Sequence, residues 1–82
     1  MKLNNLSVSV IGLGYIGLPT ATLLASKNIK VNGIDINDQI VKSVNMGESH
    51  FYEPDLQDLM KKCVSSKLLI AYNKPVISDI YL

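Results

Sequence analysis

Val10-Ile11-Gly12-Leu13-Gly14-Tyr15-Ile16-Gly17 decides the fold of this chain. The residues leading into it, Leu6-Ser7-Val8-Ser9-Val10-Ile11, alternate and then become continuously apolar, the pattern of a buried parallel strand. The residues leading out, from Tyr15 to about Lys27, carry Ile16, Ala21, Leu23, Leu24 and Ala25, which suits a helix packed on a sheet. A G-x-G-x-x-G is weak evidence alone, but between a strand and a helix each glycine has a physical role. The first allows the tight turn. The second lets a pyrophosphate approach the backbone without meeting a Cβ, and the third lets the helix pack closely on the strand. The amides of Tyr15 and Ile16 are then expected to face the phosphates, helped by the helix dipole.

Outward from this turn, Asn28 stands where a left-handed residue would end the helix. Val31-Asn32-Gly33-Ile34-Asp35-Ile36 reads as a second strand. Asp35 closes it, 21 residues after Gly14, where a carboxylate accepts hydrogen bonds from the adenosine ribose hydroxyls. A 2′-phosphate about 4 Å away would meet repulsion of about 4 kcal/mol per charge pair at an effective dielectric of about 20. The chain has no arginine to clamp such a phosphate, so the expected cofactor is NAD rather than NADP. The candidate cofactor contacts are Gly12, Gly14, Tyr15, Ile16, Gly17 and Asp35.

Asn37 or Asp38 can cap a second helix, with Ile40, Val41 and Val44 on its inner face and Gly47 past its end. Residues 48–54 read as a loop. Pro54 suits the first turn of a third helix, with Asp55 and Asp58 near its positive end. Leu56, Leu59, Met60 and Cys63 form one apolar stripe. Leu68-Leu69-Ile70-Ala71-Tyr72 is a third strand, and Ile77-Ser78-Asp79-Ile80-Tyr81-Leu82 a fourth, cut off partway. The order β-α-β-α-α-β-β implies a parallel α/β sheet. Residues 1–82 read as the first half of a Rossmann-type domain, with strand order 3-2-1-4 and helices on both faces. Residues 73–78 reach at most about 20 Å, so they form an extended link with at most one helical turn. The incomplete fourth strand predicts an exposed apolar edge, hence a marginal monomer or self-association. Pro19 falls in the second turn of the expected helix, where its missing N–H removes a bond, and the sequence offers no account of it.

The bulk numbers bound the rest. At 82 residues the chain is at most one small domain with a thin core. Eight lysines against seven acids leave a net charge of +1, with no basic cluster, which argues against a nucleic-acid surface. No apolar run approaches the ~20 residues of a membrane span. The N-terminus lacks the apolar core and cleavage site of a secretory signal, and Cys63 is the only cysteine, so no internal disulfide forms and a cytoplasmic setting is expected. Cys63, on an apolar stripe with no neighbouring base, reads as core packing rather than a nucleophile. His50 reads as a loop histidine rather than a general base, and Glu53 as a helix-start residue rather than a cofactor contact. Tyr72 and Tyr81 suit strand positions, and Lys61-Lys62 the solvated face of a helix C-terminus. No metal-ligand pattern stands out.

Three blocks together, V-I-G-L-G-Y-I-G-L-P-T-A, G-I-D-I-N and G-E-S-H-F-Y-E-P-D-L, resemble the N-terminus of the UDP-glucose/GDP-mannose dehydrogenase family. Pro19 belongs to that pattern, and the resemblance covers nearly the whole chain. Other dehydrogenases that share the glycine turn lack the third block. Within the family, that block and the short link at Asn73-Lys74-Pro75-Val76-Ile77-Ser78 are most similar to the branch acting on UDP-N-acetyl-D-mannosamine. The resemblance implies oxidation of a sugar C6 alcohol to a carboxylate in two NAD-dependent steps through a cysteine nucleophile. That cysteine lies in a later part of such proteins, so this chain is expected to hold cofactor contacts and no catalytic residue. It further implies a UDP-sugar substrate and a homodimeric full-length protein. UDP-glucose 6-dehydrogenase, a related nucleotide-sugar dehydrogenase or a non-catalytic nucleotide-binding fragment are the alternative readings.

Overall fold

In the computed structural model, which describes residues 5–50 and 53–82, strands and helices follow one another in the expected order. Phe51 and Tyr52 of the third block and of the 48–54 loop lie outside the described residues. β1 (Ser7–Ile11) leads through the glycine turn into α1 (Gly17–Ser26), then β2 (Lys30–Ile34), α2 (Asp38–Asn45), α3 (Pro54–Ser65), β3 (Leu69–Tyr72) and β4 (Ile80–Tyr81). The sheet runs β3-β2-β1-β4 and every pairing is parallel, as the pattern predicts.

Local chemistry sets most of these bounds. Asn28 has φ 67°, the left-handed conformation that turns the chain after α1. The Asn37 side chain accepts hydrogen bonds from the Gln39 and Ile40 amides, capping α2. Gly47 follows α2 at φ 77°, and Pro54 opens α3, where a missing N–H costs nothing. The Gln57 side chain ties the intervening loop down, accepting from the Ser49 amide at 2.8 Å and donating to the Gly47 carbonyl. Pro19 is no anomaly. Because α1 begins at Gly17, two residues later than the sequence suggests, Pro19 sits in its first turn, where the N–H has no intrahelical acceptor.

The hydrophobic core lies on one side of the sheet. Val8, Val10, Val31, Leu69 and Ala71 point there and pack against Leu18, Ala21, Ala25, Val44, Met60 and Cys63 of the three helices. Helices on both faces were expected, and the described residues place them on one. Both crossovers, β1-α1-β2 and the one carrying α2 and α3 to β3, step the same way along the sheet. Right-handed connections then keep their helices on the same side.

The opposite face carries a polar seam. Ser9 and Asn32, paired across β1 and β2, are both buried. They are covered by the extended link of residues 73–79, which has no helical turn, as its reach requires. The Ser9 hydroxyl hydrogen-bonds the Ser78 hydroxyl, which also accepts from Asn32 Nδ2 at 2.9 Å. The same link shortens β4, which was expected from Ile77. Ser78 turns inward to the seam, and the Asp79 carboxylate takes the Ser7 amide at 2.8 Å, so pairing starts at Ile80. Ile77, Tyr81 and Leu82 stay exposed. Truncating Ser78→Ala should remove the acceptor of a buried amide and cost about 1–3 kcal/mol. Urea titration reads this as a lower midpoint at unchanged slope, and a shift under a few tenths of a kcal/mol would mean that Asn32 does not depend on Ser78.

Candidate functional site

The glycine turn leaves β1 at its C-terminal end. Gly12 adopts φ 90°, a conformation that side chains resist, while its amide donates to the Ile34 carbonyl of β2 at 2.7 Å. Leu13 turns inward and is fully buried. A Cβ on Gly14 would meet nothing within 4 Å, so the backbone there faces open space. A Cβ on Gly17 would lie 1.7 Å from the Gly12 carbonyl oxygen; only hydrogen fits between helix and turn.

Asp35, directly after β2, reaches back across the turn. Its Oδ2 accepts from the Leu13 amide and its Oδ1 from the Asn37 amide, each at 2.9 Å. Ile11, Gly12, Ile34, Asp35 and Ile36 line an open cleft of about 260 Å³ at the C-terminal ends of β1 and β2, the end of a parallel sheet where ligands bind. Five of the six expected residues therefore form one turn, and parallel pairing brings Asp35 to it from the neighbouring strand. Tyr15 and Ile16 are 83% and 81% exposed, and of the six expected residues only Gly12 and Asp35 line the cleft itself.

The residues present fit a dinucleotide. The N-cap of α1 is Ile16, which offers no side-chain cap, and no acid sits in the first turn. In contrast, α2 has Asn37 and Asp38 at its start, and α3 has Asp55. Among the described residues, α1 is thus the helix whose positive end is left uncompensated, and it points at the open turn. A larger groove of about 810 Å³ lies between the C-terminal ends of α2 and α3, lined by Met46, Gly47, Lys61, Lys62 and Ser65 among others. That groove has Lys61 and Lys62 but neither the glycine turn nor a helix N-terminus, whereas the smaller cleft lies at the C-terminal ends of β1 and β2 beside both, where parallel sheets bind nucleotides.

The remaining candidates fall elsewhere. Cys63 is buried, its thiol 3.8 Å from the Thr22 carbonyl, and burial pushes the thiol pKa above its ordinary 9.0. His50 and Glu53 are exposed and line neither cavity. Among the described residues no cluster of His, Cys, Asp and Glu could hold a metal ion, and no helix is long and apolar enough to cross a membrane. Sequence reasoning placed Gly33 in β2 and Asn37 at the start of α2 but missed what each does at the site: Gly33 makes room for Leu13, and the Asn37 amide holds Asp35 Oδ1. A Cβ on Gly33 would approach the Leu13 methyls to 2.9 Å. A glycine in mid-strand was the available signal for that close approach.

Comparison with known proteins agrees with this geometry. The NAD-binding domain of the UDP-glucose/GDP-mannose dehydrogenase family matches residues 6–81. The chain is 49% identical over 76 residues to an NDP-N-acetyl-D-galactosaminuronic acid dehydrogenase of Ralstonia nicotianae and, at the same identity, to the UDP-N-acetyl-D-mannosamine dehydrogenase of Escherichia coli. Each alignment covers 93% of this chain and 18% of the relative. The UDP-N-acetyl-mannosamine dehydrogenase from Staphylococcus aureus superimposes with a TM-score of 0.87 at 37% identity, over 92% of this chain and 18% of that one. The chain thus spans about a fifth of the length of the relatives it matches.

Two outcomes test the site and its surroundings. Gly17→Ala should destabilise the fold by about 2 kcal/mol or more, because the clash is with backbone that cannot swing away; calorimetry showing a wild-type melting temperature would contradict the packing. For Cys63, the folded thiol keeps its proton to higher pH than the unfolded one. Its contribution to stability is complete below the ordinary thiol pKa and is lost as pH rises through the raised folded value. Stability measured from pH 8 upward should therefore fall less steeply in Cys63→Ala than in wild type.

Proposed function

This chain belongs to the UDP-glucose/GDP-mannose dehydrogenase family, as its NAD-binding segment, and from that premise we propose that it serves an enzyme oxidising the C6 alcohol of an N-acetylated UDP-hexosamine to the uronic acid. UDP-N-acetylmannosamine is the preferred substrate reading. Likeness to the Escherichia coli and Staphylococcus aureus enzymes named for it supports that choice. The equal identity to the Ralstonia nicotianae relative supports an N-acetylgalactosamine-type sugar as the second reading. The observation that carries the cofactor half of the proposal is the start of α1, which has no side-chain cap, facing the open glycine turn with Asp35 held beside it.

Each residue then has a task. Gly12 and Gly14 let the pyrophosphate approach the backbone, the amides at Tyr15 and Ile16 receive it, and Gly17 keeps α1 close enough for its dipole to act. Asp35 accepts from the adenosine ribose hydroxyls with the lone pairs that Leu13 and Asn37 leave unused. Bound NAD supplies the hydride acceptor. The sugar, its proton transfers and the cysteine chemistry belong to parts of the enzyme that match segments of the relatives beyond this one, and Cys63 stays in the core.

Calorimetry on this chain should show weak binding of NAD and still weaker binding of NADP. Asp35→Ala should weaken NAD and narrow the gap between the two; equal affinities in wild type would overturn the assignment of Asp35. Mixed with NAD and UDP-N-acetylmannosamine, the chain should release no NADH. Turnover lost in Cys63→Ser would instead make Cys63 the nucleophile.

A further inference from the structure

We propose that Asp35 is also a positioning residue, which sets the glycine turn in its binding conformation before any cofactor arrives. This inference rests on the reading of the cleft as the NAD site. A carboxylate offers about four lone-pair positions, and here two are already committed within the protein: Oδ2 to the Leu13 amide and Oδ1 to the Asn37 amide. One side chain therefore ties the turn after β1 to the start of α2 after β2. Both bonds have a charged acceptor, the stronger kind.

The turn needs such a tie. Gly12 and Gly14 give it more freedom than any other residue type would, and the Gly14 backbone has open space beside it. Leu13 is the fixed point between them. Its side chain is fully buried against Gly33, where no Cβ intervenes. Its amide ends on Asp35, and the preceding amide, of Gly12, ends on Ile34. Side chain, amide and preceding amide thus hold one residue from three directions. Without Asp35 the part-buried Leu13 amide has no acceptor, and the turn keeps only the other two holds. Affinity for the phosphates depends on that order being present beforehand.

The positioning role and the ribose role separate with a ligand that has no ribose. Inorganic pyrophosphate meets the turn and cannot meet a ribose partner. If Asp35 served the ribose alone, Asp35→Ala would leave pyrophosphate binding unchanged, or tighten it by removing a negative charge nearby. If Asp35 holds the turn, the same change should weaken pyrophosphate at least tenfold, alongside NAD. Binding is read from amide shifts of Gly12, Gly14 and Gly17 in the full chain. Pyrophosphate affinity equal to or above wild type would overturn the proposal.

Ligand-free hydrogen exchange gives an independent reading. The Gly12 amide should exchange at least tenfold faster in Asp35→Ala, while Val8 and Val10 of β1 keep wild-type rates. Unchanged Gly12 exchange would also overturn the proposal. Should Asp35→Ala fail to fold, the wild type carries the test: a trans-hydrogen-bond coupling from the Leu13 nitrogen to the Asp35 carboxyl carbon is required, and its absence rejects the idea. If neither NAD nor pyrophosphate binds wild type while exchange behaves as stated, the reading of the cleft fails and the positioning of the turn stands.

Discussion

The structure depends on one contact that only hydrogen can make. α1 presses against the glycine turn so closely that a methyl group on Gly17 would sit 1.7 Å from the Gly12 carbonyl oxygen. That approach brings Leu18, Ala21 and Ala25 down onto Val8, Val10 and Val31, and so begins the core. It also leaves the first turn of α1 beside an open stretch of backbone at Gly14. The close packing that stabilises the domain and the open backbone that suits an anion are consequences of the same missing Cβ atoms.

Charge is then distributed around this point by omission as much as by placement. α2 and α3 each start with an acid in the first turn, and α2 adds the Asn37 cap. Such groups satisfy a helix start internally and offset its positive end. α1 has neither, so no side chain offsets its positive end. Asp35 stands near enough to order the turn through the Leu13 amide. Its two backbone bonds orient the carboxylate without exhausting its acceptors, so structural support and ligand recognition are compatible on one side chain.

The two faces of the sheet follow different chemistry. One is aliphatic and takes α1, α2 and α3. The other is spanned by a seam of Ser9, Asn32 and Ser78, with the extended link lying over it. A buried polar seam gives little net stability, but each of its groups requires its partner. That requirement directs the link across β2 and β1 to the far side of the sheet, where β4 pairs in parallel with β1.

Much of this was legible in the chain itself. The glycine turn, the extended link, the Asn28 and Gly47 helix stops, a cap for α2 at Asn37 or Asp38 and the buried Cys63 all follow from short-range patterns. Each depends on backbone preferences or apolar periodicity within a few residues. What sequence reading missed was set at longer range. The true start of α1 follows from the close packing of Gly17 on the turn, which in turn makes Pro19 harmless. The single helix-bearing face follows from crossover handedness acting on whole units. The shortened β4 follows from Ser78 and Asp79 finding partners in β1 and β2. By itself the sequence determined which elements form and that a carboxylate would stand near the glycine turn. Only the tertiary structure decided that Asp35 also bonds the Leu13 amide, because parallel pairing of β1 with β2 is what brings a residue 22 positions earlier to this carboxylate, whereas its bond to the Asn37 amide two positions on is a local turn.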